Sequence, residues 1–300
     1  MRKLTKWWIL SIAVLAISGI AMGCDDDDEN GGTGGAGGTA GAGGTGGTGG
    51  TGGTGGTGGT GGTGGTGGTI VELSTISGQV VVNPIAANLL GATLPSVEGL
   101  SLRIVDAGKV IAGDPTAVVA TGTTGTDGSF TIEDVDLTAN TVGFLITVTG
   151  DDFADSTMGL CIPGEQTPQL ICGDRTNMDV FAVPSDFIDE METKLGDDEL
   201  MANGLILGGT IEPAGDPIEG VTINDVDDDG ELIFLAPDYT NAGTSTTTET
   251  GAFLVKPADG VQILTLTPTK DGLSFIPERQ PAGATPDVVF QAFFVGVPNP

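Results

Sequence analysis

From Gly31 to Thr69 the chain reads almost purely Gly-Gly-Thr, interrupted early by Ala36, Ala40 and Ala42. No other stretch constrains the fold as much. Glycine makes ordering of the backbone maximally unfavourable, and the tract offers no apolar surface to offset it. It is expected to be a flexible coil with an end-to-end distance of about 35 Å. Glycine fills two of every three places and proline is absent, so the collagen pattern is excluded. Whatever folds must lie beyond Thr69. The remaining residues, 70–300, give room for two sandwiches of ordinary size.

Ahead of the spacer lies an export signal. Arg2, Lys3 and Lys6 make a positive start, and Trp7 to Met22 is an apolar run too short to span a bilayer comfortably. Ile20-Ala-Met-Gly-Cys24 follows, then Asp25-Asp26-Asp27-Asp28-Glu29. Small residues at Ala21 and Gly23 before a cysteine resemble the lipobox of bacterial lipoproteins, with Ala21 in place of the more usual leucine. The resemblance implies cleavage after residue 23 and lipidation of Cys24. The partner implied is a bacterial membrane, with the chain at the outer membrane or cell surface, or on the periplasmic face of the inner membrane. An uncleaved anchor, or an ordinary signal followed by a chance cysteine, is the alternative.

Charge and composition exclude whole classes of function. The signal removes three basic residues, so the mature chain holds seven basic against forty acidic residues, a net of −33. That surface repels phosphate backbones, which rules against nucleic acid as a partner. Histidine is absent, and with it the usual catalytic triads and zinc ligand sets. Both tryptophans sit in the signal, and Tyr239 is the one tyrosine, so aromatic platforms for sugars or single strands are scarce.

After Ile70, short runs of Val, Ile, Thr and Leu alternate with polar residues between Gly, Pro, Asn and Asp. That pattern predicts an all-β chain of sandwich type. Strands are expected at 77–83, 100–106, 117–121, 129–132 and 142–149. A second series echoes the first in the same order. Leu207-Gly-Gly-Thr-Ile211 matches Ile76-Ser-Gly-Gln-Val80, and Gly220-Val-Thr-Ile223 matches Gly99-Leu-Ser-Leu102. Thr250-Gly-Ala-Phe-Leu-Val255 matches Asp127-Gly-Ser-Phe-Thr-Ile132, and 261–269 matches 142–149. A glycine able to take positive φ, a small residue and then Phe130 or Phe253 predict a tight hairpin ending in a core anchor.

These pieces resemble the carboxypeptidase regulatory-like domain, over most of 74–160 and 204–298. Asp216-Pro-Ile-Glu-Gly-Val221 matches a stretch of that family's pattern, which the first copy lacks in clean form. The resemblance implies two tandem transthyretin-like or Ig-like β-sandwiches. The organisation expected is therefore signal 1–23, lipidated cysteine and spacer 24–69, sandwich 70–182, helical linker 183–203 and sandwich 204–300. In the linker, Phe187, Ile188, Met191 and Leu195 share one helical face between Ser185 as N-cap and Gly196 as C-terminal stop. One short helix at 185–195, packed on a sandwich edge, is expected.

Few residues carry candidate chemistry, and no catalytic residue is assigned. Cys161 and Cys172 bracket a Pro163-Gly164 turn in an exported chain, which points to a disulfide. The alternatives lack support, since C-x-x-C spacing and further metal ligands are missing. Asp225, Asp227 and Asp229 before Gly230 and Glu231 resemble the opening of a calcium loop, although the twelfth place is Ala236. The competing reading is a solvated acidic hairpin between 221–223 and 232–235. Forty acids give no basis for choosing a hydrolytic pair, and the Asp-Thr/Ser-Gly signature of aspartic proteases is absent. The expected function is structural: a membrane-anchored lipoprotein displaying non-enzymatic sandwiches in the cell envelope, with no required cofactor and a protein or glycan partner. A calcium- or carbohydrate-binding module at 225–231 is the alternative, and a carboxylate-only hydrolase the remote one.

Overall fold

The computed structural model describes residues 73–91, 93–137, 142–161, 174–225, 230–260 and 262–299, with the backbone alone for Cys161 and Asp225. The signal, Cys24 and the spacer lie outside the described residues. In the first half, β1 (Leu73–Val82) leads into α1 (Pro84–Leu90), β2 (Ser101–Asp106) and α2 (Ala107–Ile111). β3 (Val118–Thr123), β4 (Ser129–Asp136), β5 (Phe144–Gly150), β6 (Phe153–Cys161) and β7 (Arg175–Pro184) follow. After α3 (Ser185–Leu195) come β8 (Leu205–Ile211), β9 (Thr222–Asp225), β10 (Gly230–Phe234) and β11 (Ala252–Pro257). The chain closes with β12 (Gln262–Thr269), β13 (Leu273–Ile276), β14 (Gln280–Ala284) and β15 (Val288–Pro298). The chain is mostly β, as the alternating pattern requires.

The first half is a two-layer sandwich. β3-β2-β5-β6 forms one layer and β4-β1-β7 the other. Period-two alternation sends Ile76, Leu102, Ile104, Phe130, Ile146, Val148 and Val180 into the core between them. The second half is also two-layered, with β10-β11-β8-β15 facing β14-β12-β9 across Ile206, Phe253, Leu264, Leu266 and Phe294, but its third strand β10 joins β11 where β3 joins β2. In both halves the first and last strands pair in parallel, β1 with β7 and β8 with β15.

The repeat is visible down to single hydrogen bonds. Gly128 and Gly251 take positive φ, 82° and 63°, and their carbonyls accept the N–H of Val80 (2.8 Å) and Thr210 (2.9 Å). A Cβ on either would meet the carbonyl oxygen of that same residue, at 2.4 and 2.5 Å. Phe130 and Phe253 follow, both buried. They stand opposite Gly78 and Gly208 in the two ladders. The glycine equivalent to Gly78 is therefore Gly208, one place earlier than the Ile76–Val80 and Leu207–Ile211 match implies. The ring of Phe253 lies over Gly208, where a Cβ would sit 2.0 Å from it. At Gly78 the backbone of Met178 on β7 takes the corresponding space, so the two glycines share a ladder position but not a neighbour.

A second correction concerns these glycine turns. β3 pairs with β2, whereas β4 pairs with β1, so the turn at 125–128 carries the chain from one layer to the other instead of closing a hairpin. In the second half β11 does pair with β10, but across the long connection 235–251.

The two halves are joined by strand pairing and by a third layer. β15 lies parallel to β6 through Val288↔Asp155 to Gln291↔Met158, so one sheet runs from β10 to β3. α3 has the expected bounds and ends at Gly196 in the left-handed conformation. Its N-cap is Pro184 and not Ser185, and no side chain caps it. It packs on the face of β10-β11-β8-β15 rather than on an edge. Phe187, Ile188 and Met191, together with Ile85 and Ala86 of α1, cover Leu205, Leu207, Leu235 and Leu254. α1 itself was not expected from the sequence. Pro84 at its first position follows Asn83, whose Oδ1 accepts the N–H of Ile85 (2.9 Å) and Ala86 (3.3 Å).

Asn83 also crosses the seam. Its Nδ2 donates to Oε1 of Gln291 on β15 (2.7 Å), and Nε2 of Gln291 donates to the Phe181 carbonyl on β7 (2.7 Å). Asn83 and Gln291 are 0% and 1% exposed, so both amides are withdrawn from water, and one hydrogen bond between them together with bonds to Ile85, Ala86 and Phe181 satisfies them. The Phe181 and Phe293 rings meet beside them, with centroids 4.9 Å apart.

Candidate functional site

The acidic stretch singled out by the sequence falls between two strands of different sheets. Asp225 ends β9, opposite Leu266 of β12 in the three-stranded sheet. Gly230 opens β10, opposite Pro257, and Glu231 stands opposite Lys256 of β11 in the large sheet. β9 and β10 do not pair, so the expected acidic hairpin is replaced by a crossover between the layers. Asp227 and Asp229 lie outside the described residues. Among the described residues, no group of three or more His, Cys, Asp or Glu side chains is arranged to hold a metal ion.

Lys256 turns away from Glu231. Its ammonium engages the Asp197 carboxylate just beyond α3, with both side chains about three-quarters buried. The hydrogen bond from Lys256 holds the Asp197 carboxyl below the usual carboxylate range. Nearby, Glu192 is pushed up by desolvation and by the charges of Asp189, Asp198 and Asp197. The Asp197–Lys256 pair ties the segment just beyond α3 to β11.

Other perturbed acids also hold turns. In Asp114-x-Thr116, Asp127-x-Ser129 and Asp238-x-Thr240, the carboxylate accepts both the hydroxyl and the backbone N–H two residues on. Those hydrogen bonds lower the pKa of all three aspartates. A carboxyl committed in this way is a poor general acid.

The cysteines are placed in part. Cys161 is the last residue of β6, opposite Phe144. Cys24 and Cys172 lie outside the described residues.

Sequence reasoning missed the pair of threonines that clasp each half. Thr124 Oγ1 accepts the Leu100 N–H (2.8 Å) and donates to the Val97 carbonyl (2.5 Å). Thr247 Oγ1 accepts the Val221 N–H (3.0 Å) and donates to the Ile218 carbonyl (2.8 Å). The backbone carbonyls of the same threonines accept from Gly99 (3.1 Å) and Gly220 (2.7 Å), both at φ 73°. Gly99 and Gly220 were the available signal, since each opens one of the matched strands. Their threonine partners sit at different separations, 25 and 27 residues on, which hides them from a fixed-spacing comparison.

No family model matches the chain, and no curated protein matches it. Among solved structures, it is similar to a streptococcal ancillary pilin, at 11% identity over 75% of this chain and 69% of that one, with a TM-score of 0.22. A shaft pilin, SpaA from Lactobacillus rhamnosus GG, is similar at 13% identity over 76% of this chain and 99% of that one, again with a TM-score of 0.22. A cohesin–X-dockerin complex from Acetivibrio cellulolyticus contains a further similar chain, at 12% identity, with 41% and 74% covered and a TM-score of 0.22.

Proposed function

We propose that this chain is an exported bacterial lipoprotein, held to a membrane through Cys24 and displaying a non-catalytic β-sandwich body as an interaction scaffold. The observation that carries the reading is the order of its parts. A basic and apolar leader, a cysteine, an acidic run and a 39-residue Gly/Thr spacer precede a body in which Asp114, Asp127 and Asp238 serve turns and Asp197 serves a helix end. The recurrence of the glycine turn and the threonine clasp supports two copies of one sandwich unit, 70–182 and 204–300, related to the carboxypeptidase regulatory-like domain. A Cys161–Cys172 disulfide would tie down the segment between β6 and β7. A net charge of −33 argues against nucleic acid, and the partner read here is a protein or a glycan.

The test is metabolic labelling of the full chain with palmitate in a bacterial host, followed by fractionation. The proposal requires label in the membrane fraction, and both label and membrane association lost in Cys24→Ser. A wild-type chain that is unlabelled and soluble would end it. A second reading, calcium held by Asp225, Asp227, Asp229 and Glu231, is favoured by one observation: the lysine opposite Glu231 is taken by Asp197. It predicts a higher melting temperature in calcium that is lost in Asp227→Ala/Asp229→Ala. Equal melting in calcium and in EDTA would discard it.

A further inference from the structure

We draw no further inference here: the strongest candidate, the uncharged groove where α2, β5 and β6 meet β12, β14 and β15, is rimmed by exposed Val110, Ile111 and Ile263, but nothing in the structure shows what covers it.

Discussion

Replacing Gln291 with methionine keeps the length of the side chain and removes both halves of its amide. Two groups lose a partner. Asn83 Nδ2 is left buried beside an apolar thioether, and the Phe181 carbonyl keeps only the Ser156 hydroxyl at 3.4 Å. An orphaned buried donor costs about 1–3 kcal/mol, and the second lost bond adds about 0.5–1.5 kcal/mol. The expected loss is therefore about 2–4 kcal/mol. For a body of this size that corresponds to a fall in Tm of roughly 5–12 °C. Since β15 pairs with both β6 and β8, the whole body should melt together, as one calorimetric endotherm in both wild type and variant. Gln79→Met is the control. Gln79 makes a hydrogen bond of the same length, Nε2 to the Asp127 carbonyl at 2.7 Å, but is exposed, so its loss should stay within about 0.5 kcal/mol. Adding Asn83→Ala to Gln291→Met should cost less than the sum of the single changes, by about 1–2 kcal/mol. A Gln291→Met shift under about 1 °C, or two endotherms of which one moves, would refute the buried seam.

Three further outcomes follow from the geometry. Gly128→Ala and Gly251→Ala combine positive φ with a Cβ driven into a carbonyl, and each should lose roughly 2 kcal/mol or more in urea unfolding. Gly243→Ala, also at positive φ but with nothing near its Cβ, should lose only about 1 kcal/mol, and equal losses at all three would remove the close approach as the cause. Burial pushes the Tyr239 phenol up to about 12, and the chain has one tyrosine, so absorbance at alkaline pH reads that residue alone. With the folded pKa above the unfolded value of about 10, its stabilisation is complete below pH ~10 and is lost as pH rises toward 12; ionisation at 10 in the folded chain would contradict the burial. For Asp127 the sign is opposite. Its folded pKa is lowered by the Ser129 hydroxyl and then by the Ser129 N–H, so its contribution is present above the unfolded value of about 4 and lost as pH falls through the lowered one. Ser129→Ala should raise the Asp127 pKa in a carboxyl-carbon NMR titration, and an unchanged value would show that the hydroxyl is idle.

What could be read from the sequence was local. Phe187, Ile188, Met191 and Leu195 announce α3 because four apolar side chains at helical spacing, ended by Gly196, depend on no distant partner. The glycine turns before Phe130 and Phe253 were legible for the same reason. Registers were not. Gly208 and Gly209 are chemically identical in the sequence, and only the strand pairing that sets Phe253 opposite Gly208 decides which matches Gly78. Pairings were legible still less. That β9 and β10 separate into two sheets, turning an expected hairpin into a crossover, follows from β12 and β11 claiming them. The buried amide bond across the seam joins Asn83 and Gln291, 208 residues apart, and no local pattern pairs the two. Asn83-Pro84 does carry a helix-start signal, and Ile85, Ala86, Leu89 and Leu90 have helical spacing, but α1 spans only seven residues. The candidate calcium acids were legible as a motif, but of the four only Glu231 has a described side chain.

Anchored display is the central claim, and an intact mass of the chain purified from membranes tests it most directly. The account predicts a polypeptide that begins at Cys24 and carries the added mass of a diacylglyceryl group, with or without a further acyl chain. A chain that still begins at Met1, or one beginning at an unmodified Cys24 and recovered from the soluble fraction, would contradict it.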